Sequence, residues 1–203
     1  MGPKSNLPGG CDEPISEDRP LRADALRNRG RILEAAEVVF ASEGIEAPVD
    51  VIAEKAGVGV GTLYRHFPTK EKLCEAILID RLRDLTDDAR AQADAEDPVA
   101  AFFGVLEHFV ELGAAKRDLI VAVMGAGLDF DEAAAPVKED LREAVGVLLR
   151  RAQDAQAVRE DVTPAAVIGL ISATCQAAGY NHEAPVMDLL GIVCDGLRAQ
   201  GSS

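Results

Sequence analysis

Hydrogen-bond donors cluster on one short stretch of the chain, residues 62–70. They are Thr62, Tyr64, Arg65, His66 and Lys70. Side chains of these types bind the phosphate oxygens of nucleic acids. Leu63 and Phe67 are four residues apart and predict an apolar helix face behind the donors. The pattern is typical of a helix that lies in the major groove of duplex DNA, with the side chains of its N-terminal part at the base edges.

Two short helices and a glycine-containing turn are predicted to position these donors. In the N-terminal part of the chain, helices are predicted over residues 23–43, 49–56, 60–67 and 70 to about 93. Gly44 ends the first helix, and the run Gly57-Val58-Gly59 is a turn between the second and the third. Pro68 stops the third helix, and Thr69 caps the fourth. This arrangement predicts a helix-turn-helix.

The rest of the chain is predicted to be helical as well. Further helices are expected over residues 100–115, 118–124, 132–155, 164–180 and 184–199. Residues 1–21 combine proline and glycine with charged side chains and are expected to form a disordered arm. The fold class is therefore all-α, with a three-helix DNA-binding domain over 22–72 and a second helical domain over 73–203.

The net charge of −14 is unevenly distributed along the chain. Residues 73–203 hold 11 basic and 23 acidic side chains, whereas residues 22–72 hold eight of each. Because phosphate neutralisation dominates non-specific affinity for DNA, an acidic body weakens that general attraction. Sequence-specific contacts of the predicted helix-turn-helix then have to supply a larger share of the free energy of DNA binding.

The sequence shows no pattern typical of an enzyme, a metal site or a bound cofactor. The three histidines, His66, His108 and His182, lie at neither metal-ligand nor catalytic spacing, and no phosphate-binding glycine loop occurs. The four cysteines are predicted to be reduced thiols, and no apolar signal segment opens the sequence, so a cytoplasmic protein is expected. The uncharged stretch 162–182 contains polar residues and is interpreted as a buried helix rather than a membrane span.

Two segments resemble the DNA-binding domain of the tetracycline-repressor (TetR) family of bacterial transcriptional regulators. The run IAEKAGVGVGTLYRHFPTKEKL, Ile52 to Leu73, is similar to the helix-turn-helix signature of that family. NRGRILEAAEVVFASEG, Asn28 to Gly44, is similar to its first helix. The resemblance implies a role for seven residues. Val60, Gly61 and Thr62 match residues that approach bases, Tyr64, His66 and Lys70 match phosphate contacts, and Arg65 can serve either purpose.

Two departures from the family pattern remove expected side-chain contacts with DNA. Ala47-Pro48 stands where Ser or Thr is frequent, and Gly59 stands where Ser is frequent. Arg27, Arg29 and Arg31 near the start of the first helix are candidates to compensate, or form an ordinary solvated face.

The resemblance further implies that the C-terminal domain dimerises and holds a small ligand. Two apolar stripes independently favour a four-helix dimer interface. They consist of Gly169, Ala173 and Ala177, and of Val186, Leu190, Val193 and Leu197. The alternative is a monomer that buries both stripes internally. Candidate pocket residues are Phe102, Phe103, Leu106, Phe109, Met124, Phe130, Val145, Leu148 and Cys175, with His108 able to reach the same space. A packed core explains these residues equally well.

The sequence therefore predicts a ligand-responsive transcriptional regulator, a repressor that binds a palindromic DNA operator as a homodimer. The alternative is a helical module that binds a small molecule or a protein and has no DNA recognition. The acidity of the chain and the Ala47-Pro48 departure leave this alternative open.

Overall fold

In a computed structural model of the chain, residues 18–180 and 185–199 are described. These residues form nine α-helices and no strand beyond an isolated antiparallel bridge between Val158 and Arg198. The helices are α1 (Asp18–Glu43), α2 (Val49–Ala56), α3 (Val60–His66), α4 (Lys70–Ala91), α5 (Pro98–Ala115), α6 (Arg117–Gly125), α7 (Phe130–Asp154), α8 (Pro164–Tyr180) and α9 (Val186–Leu197). The all-α prediction is confirmed.

Capping side chains account for where α5 and α7 begin. The Asp97 side chain accepts hydrogen bonds from the backbone N–H groups of Val99 (3.0 Å) and Ala100 (2.9 Å), so α5 begins at Pro98, two residues before the expected start. The Asp129 side chain caps α7 in the same way, through Glu132 N at 3.0 Å. These side-chain caps satisfy N–H groups that a helix start otherwise leaves without a partner.

Several helix ends differ from the prediction, and the start of α1 and the end of α9 have a clear local cause. α1 begins at Asp18, so residues 18–21 of the predicted arm are helical, while residues 1–17 lie outside the described residues. Pro20 is compatible with this start, because a first-turn proline removes no intrahelical hydrogen bond. α9 ends at Leu197 rather than at residue 199, since Arg198 is extended (ψ 143°) and Ala199 N donates to Ala157 O at 3.0 Å.

The helices enclose two apolar cores. The first is formed by α1, α2, α3 and the N-terminal half of α4, and it also takes in Leu119 and Val123 of α6. The second is formed by α5, α7, α8 and α9 with Leu85 and Ala89 of α4. Because α4 contributes to both cores, it connects the two halves of the molecule. Each large apolar side chain buried in this way stabilises the fold by about 1.5–3 kcal/mol.

The helix α5 is the most apolar long helix at the centre of the second core. By length and composition it is the one helix of the described ranges that is apolar enough to cross a membrane. Phe102, Leu106 and Val110 of α5 are nonetheless buried in the second core, against α7, α8 and α9. The apolar composition of α5 therefore follows from its place in the helix bundle.

Candidate DNA-binding surface and effector cavity

The turn before α3 is closed by a glycine in the left-handed conformation. Gly57 has φ 63° and ψ 40°, and its N–H donates to the carbonyl oxygens of Ala53 and Glu54 at the end of α2. Val58 N also donates to Ala53 O at 3.0 Å. A residue with φ in this range is strained unless it is glycine, so Gly57 sets the angle at which α3 leaves α2.

Two arginines of α1 contact the helix-turn-helix from behind. Arg31 Nη2 donates to Gly57 O at 3.3 Å, and the guanidinium of Arg29 lies 5.6 Å from the centre of the Phe67 ring. Arg27 instead pairs with Asp24 on the same helix. Arg29 and Arg31 thus hold the turn and the end of α3 in place, a role that the sequence did not predict.

The helix α3 has one buried and one exposed face. Leu63 and Phe67 are 1% and 3% exposed in the first core, which is the anchoring pair that the sequence predicts. Gly61, Tyr64 and Arg65 are exposed on the opposite side. The hydrogen-bond donors of α3 are therefore displayed on a short helix whose apolar side is fixed.

The remaining predicted contact residues lie in the first and last turns of α3 and at the start of α4. Val60, Thr62, His66 and Lys70 are half-buried, and Val60 packs partly against the first core. Among the described residues Lys70 forms no ion pair, whereas the neighbouring Lys72 pairs with Glu75 at 2.9 Å. The ammonium group of Lys70 is therefore available to an external anion at the start of α4.

A helix-turn-helix with exposed donors on its second helix defines a DNA-binding protein. The sequence matches two family descriptions, "Bacterial regulatory proteins, tetR family" over residues 32–77 and "Transcriptional regulator SbtR-like, C-terminal domain" over residues 97–199. The chain belongs to the TetR family of DNA-binding transcriptional regulators.

Similar proteins cover both halves of the molecule. A TetR transcription regulatory protein from Mycobacterium vanbaalenii is 41% identical, with a TM-score of 0.66 over 89% of this chain and 100% of that one. The regulator SCO0520 from Streptomyces coelicolor is 30% identical, with a TM-score of 0.62 over 85% of this chain and 99% of the other. The transcriptional regulator UidR of Escherichia coli K12 is 31% identical over 143 residues, 67% of this chain and 70% of its own length.

A cavity of about 510 Å³ lies between α4, α5, α6, α7 and α8. Four of the nine predicted pocket residues line it. They are Phe109, Met124, Phe130 and Cys175. Further apolar walls come from Leu78 and Leu82 of α4 and from Ile120 and Val123 of α6. Burial raises the pKa of the Cys175 thiol to about 11, so this side chain is uncharged at neutral pH.

Five predicted pocket residues do not line the cavity, and this part of the prediction is wrong. They are Phe102, Phe103, Leu106, Val145 and Leu148. All five are buried in the second core, where the rings of Phe102 and Phe103 meet edge to face at 5.2 Å. These side chains fill the contacts between bundle helices, which an apolar pattern alone does not distinguish from a cavity wall. His108 is also outside, with Nδ1 3.4 Å from Asp88 Oδ2.

The sequence missed the polar part of the cavity wall. Its members are Arg81, Lys116, Asp129, Asp131, Lys138, Ser172 and Gln176. Helical spacing offers a signal for the first two, because Arg81 lies between the wall residues Leu78 and Leu82, and Lys116 follows Leu112 by one turn. The apolar residues predicted for the pocket include none from α4, although Leu78 and Leu82 of this helix line the cavity.

A cluster of half-buried charges joins this cavity to α1. Arg81 of α4 donates to Glu37 of α1, with Nε 2.7 Å from Oε1, and Lys116 Nζ lies 3.0 Å from the same oxygen. Arg81 also pairs with Asp84. Burial raises the pKa of Glu37, but hydrogen bonds from Arg81 and Lys116 outweigh that effect and hold the pKa below its ordinary value. Glu37 is therefore a carboxylate held between two cations.

The predicted dimer stripe of α8 is exposed, whereas the predicted stripe of α9 is not. Gly169, Ala173 and Ala177 are exposed on α8. The α9 residues lie inside the subunit. Leu190 and Leu197 are 2% and 3% exposed, and Val186 and Val193 are half-buried against the second core.

The prediction for α9 therefore has to be corrected. The stronger apolar stripe of this helix covers the bundle of its own subunit, as expected for a helix at the edge of a bundle. The opposite face carries Met187 (41% exposed), Gly191 and Ile192 (71% exposed), together with the exposed acidic residues Asp188 and Asp195.

Proposed function

We propose that this protein is a homodimeric transcriptional repressor in the cytoplasm that binds a palindromic operator and releases it when a small molecule enters the cavity. The observation that carries the DNA part is the two-faced α3, anchored by Leu63 and Phe67 and displaying Tyr64 and Arg65. In this proposal Tyr64, His66 and Lys70 bind phosphates. Val60, Gly61 and Thr62 approach base edges, with Arg65 serving either purpose.

A dimer is supported by exposed apolar surface on α8 and α9. Leu170 is 44% exposed beside Gly169 and Ala173, and Ile192 is 71% exposed on the adjacent helix. Small residues allow two helices to approach closely, and Leu170, Met187 and Ile192 supply apolar side chains around them. The proposed interface therefore consists of Gly169, Ala173 and Ala177 of α8 and of the outward face of α9. The inward stripe of α9, which the sequence predicted, is not part of it.

Light scattering tests the dimer. The protein at micromolar concentration should have a mass of twice 21.5 kDa, and Ile192→Glu should halve it because a charge would be buried at the interface. Val121→Glu, the same kind of change at an exposed apolar residue of α6 outside the proposed interface, is the matched control and should remain dimeric. A wild-type monomer would contradict this part of the proposal.

Selection of duplexes from a random DNA library tests the operator. A dimer that places one α3 in each of two successive major grooves should enrich an inverted repeat whose half-sites are about 10 bp apart, or a multiple of this. Enrichment of a single half-site, or of no sequence, would contradict the proposal.

Transcription from a promoter that carries the selected site tests repression. It should rise when the gene for this protein is deleted, whereas a fall would indicate an activator.

A further inference from the structure

The basic residues that line the cavity and the carboxylate that pairs with them are differently accessible from the cavity, and this difference indicates the sign of the ligand's charge. Arg81 and Lys116 face the cavity with side chains 31% and 22% exposed. Glu37, their shared carboxylate, is not part of the cavity wall and belongs to α1 behind them. A ligand in the cavity can therefore contact the two cations directly, whereas Glu37, the carboxylate that neutralises them, lies behind them.

The acidic residues of the opposite wall are less suited to bind a ligand. The Asp129 carboxylate already accepts the hydrogen bond that caps α7. Asp131 is 90% exposed and paired with Lys138, whose ammonium group lies 5.1 Å from the centre of the Phe130 ring. Both carboxylates are thus exposed to solvent, and each is partly engaged, Asp129 through one oxygen and Asp131 through Lys138, so they offer a cationic ligand less than the half-buried cations offer an anion.

We propose that the cavity binds a molecule with an apolar body and one carboxylate, and that this carboxylate binds Arg81 and Lys116 in competition with Glu37. The apolar body would lie against Leu82, Phe109 and Ile120. The proposal rests on the proposed function, because it names the chemical class of the effector of that regulator.

The two cations have donors left for a second carboxylate. An arginine carries five N–H groups, of which Arg81 directs Nε–H and one on Nη2 to Glu37 and one on Nη1 to Asp84. A lysine carries three, and one N–H of Lys116 is directed to Glu37. An incoming carboxylate can therefore bind to the free donors first and then weaken the bonds to Glu37.

Loss of those bonds would reach the DNA-binding surface through α1. Glu37 lies on the helix that also carries Arg31, which donates to Gly57 at the turn before α3. Arg29 of the same helix lies over Phe67 at the end of α3. Because α1 is bound to the cavity by Glu37 and to the helix-turn-helix by these arginines, release of Glu37 changes the support of α3.

Calorimetry with matched acids and amides tests the ligand class. The probes are hexanoate, octanoate, decanoate and 2-naphthoate, each compared with its primary amide. At least one acid should bind at least tenfold more tightly than its amide. Lys116→Met should reduce this preference to about twofold, whereas Arg117→Met, which removes a neighbouring charge, should keep it. Equal binding of every acid and amide, or an unchanged preference in Lys116→Met, would overturn the proposal.

A second variant, Glu37→Gln, is expected to bind the acid more tightly rather than less tightly. This test does not depend on whether Lys116→Met folds. Glu37→Gln removes the competing carboxylate, so the preferred acid should bind about threefold more tightly. That acid should weaken DNA binding of the wild type by about tenfold, and of Glu37→Gln by less than threefold. Glu34→Gln, an exposed change one turn earlier on α1, should match the wild type. Equal acid affinity in Glu37→Gln and the wild type would overturn the competition.

The two proposals fail in distinguishable ways. A protein that binds duplex DNA but none of the acids contradicts the ligand proposal and leaves the DNA-binding function standing. A protein that binds an acid with the expected dependence on Lys116 but no duplex DNA supports the cavity assignment and contradicts the proposed function.

Discussion

Gly57 ends α2 with a φ of 63°, and the guanidinium of Arg31 lies where a side chain at this position would project. Gly59, two residues later, has a φ of −70° and open space around the same position. The two glycines of one turn thus have different reasons to be glycine. Gly57 is required by the backbone, whereas Gly59 is required at most by the approach of DNA.

Alanine substitutions should separate these two glycines. Gly57→Ala should lower the free energy of unfolding by about 1–2 kcal/mol, because the left-handed conformation is strained and Arg31 has to move. Gly59→Ala should leave stability unchanged or raise it by up to about 1 kcal/mol, since it restricts the unfolded chain. Urea unfolding measures both values. An equal loss in the two variants would contradict the assignment.

Glu37 is expected to make stability depend on acidity. Its pKa lies below the ordinary value of 4.5 in the folded protein, so its ionised form stabilises the fold above that pH. This contribution is lost as the pH falls through the folded pKa. The free energy of unfolding of the wild type should therefore fall more steeply between about pH 5 and pH 3 than that of Glu37→Gln.

Urea titrations at a series of pH values measure this difference, with Glu34→Gln as the control on the same helix. The control should follow the wild type. A Glu37→Gln profile parallel to that of the wild type would show that the contacts with Arg81 and Lys116 do not favour the ionised carboxylate.

At the scale of the element, α3 divides its residues between stability and recognition. Leu63 is 1% exposed in the first core, and Tyr64, the next residue, is 47% exposed. A helix of seven residues has little stability of its own, so it depends on packing through Leu63 and Phe67. Its exposed side chains are then held in fixed positions without contributing much to the fold.

Adjacent substitutions on α3 should therefore have opposite profiles. Leu63→Ala should cost about 2–5 kcal/mol of stability through the lost side chain and the cavity that it leaves. Tyr64→Ala should change stability by only about 0.5 kcal/mol and lower DNA affinity about tenfold. Thermal unfolding and a fluorescence anisotropy titration give the two readouts. A Tyr64→Ala variant with unchanged DNA affinity would remove this residue from the binding surface.

At the scale of the whole molecule, the sequence predicted local structure better than it predicted which face of a helix meets which partner. Periodicity and turn residues predicted α2 and α8 at the observed bounds, and Leu63 and Phe67 as the anchors of α3. Each of these depends on neighbouring residues along the chain.

The errors concern contacts between distant segments. The stripe of Leu190 and Leu197 is apolar whether it faces its own bundle or a second subunit, so the sequence could not assign it. Phe102 is apolar whether it fills a core or lines a cavity. The cluster of Glu37, Arg81 and Lys116 joins three segments that are far apart in sequence, and no local pattern predicts it.

The salt dependence of DNA binding in the wild type and in Lys70→Ala tests whether α3 and the start of α4 form the DNA-binding surface. If each subunit of a dimer binds one phosphate through Lys70, the slope of log affinity against log salt should become shallower by about 2 in the variant. Arg150→Ala, an exposed change of equal charge on α7, should keep the wild-type slope. A Lys70→Ala variant with the wild-type slope and affinity would contradict the assignment of this surface to DNA.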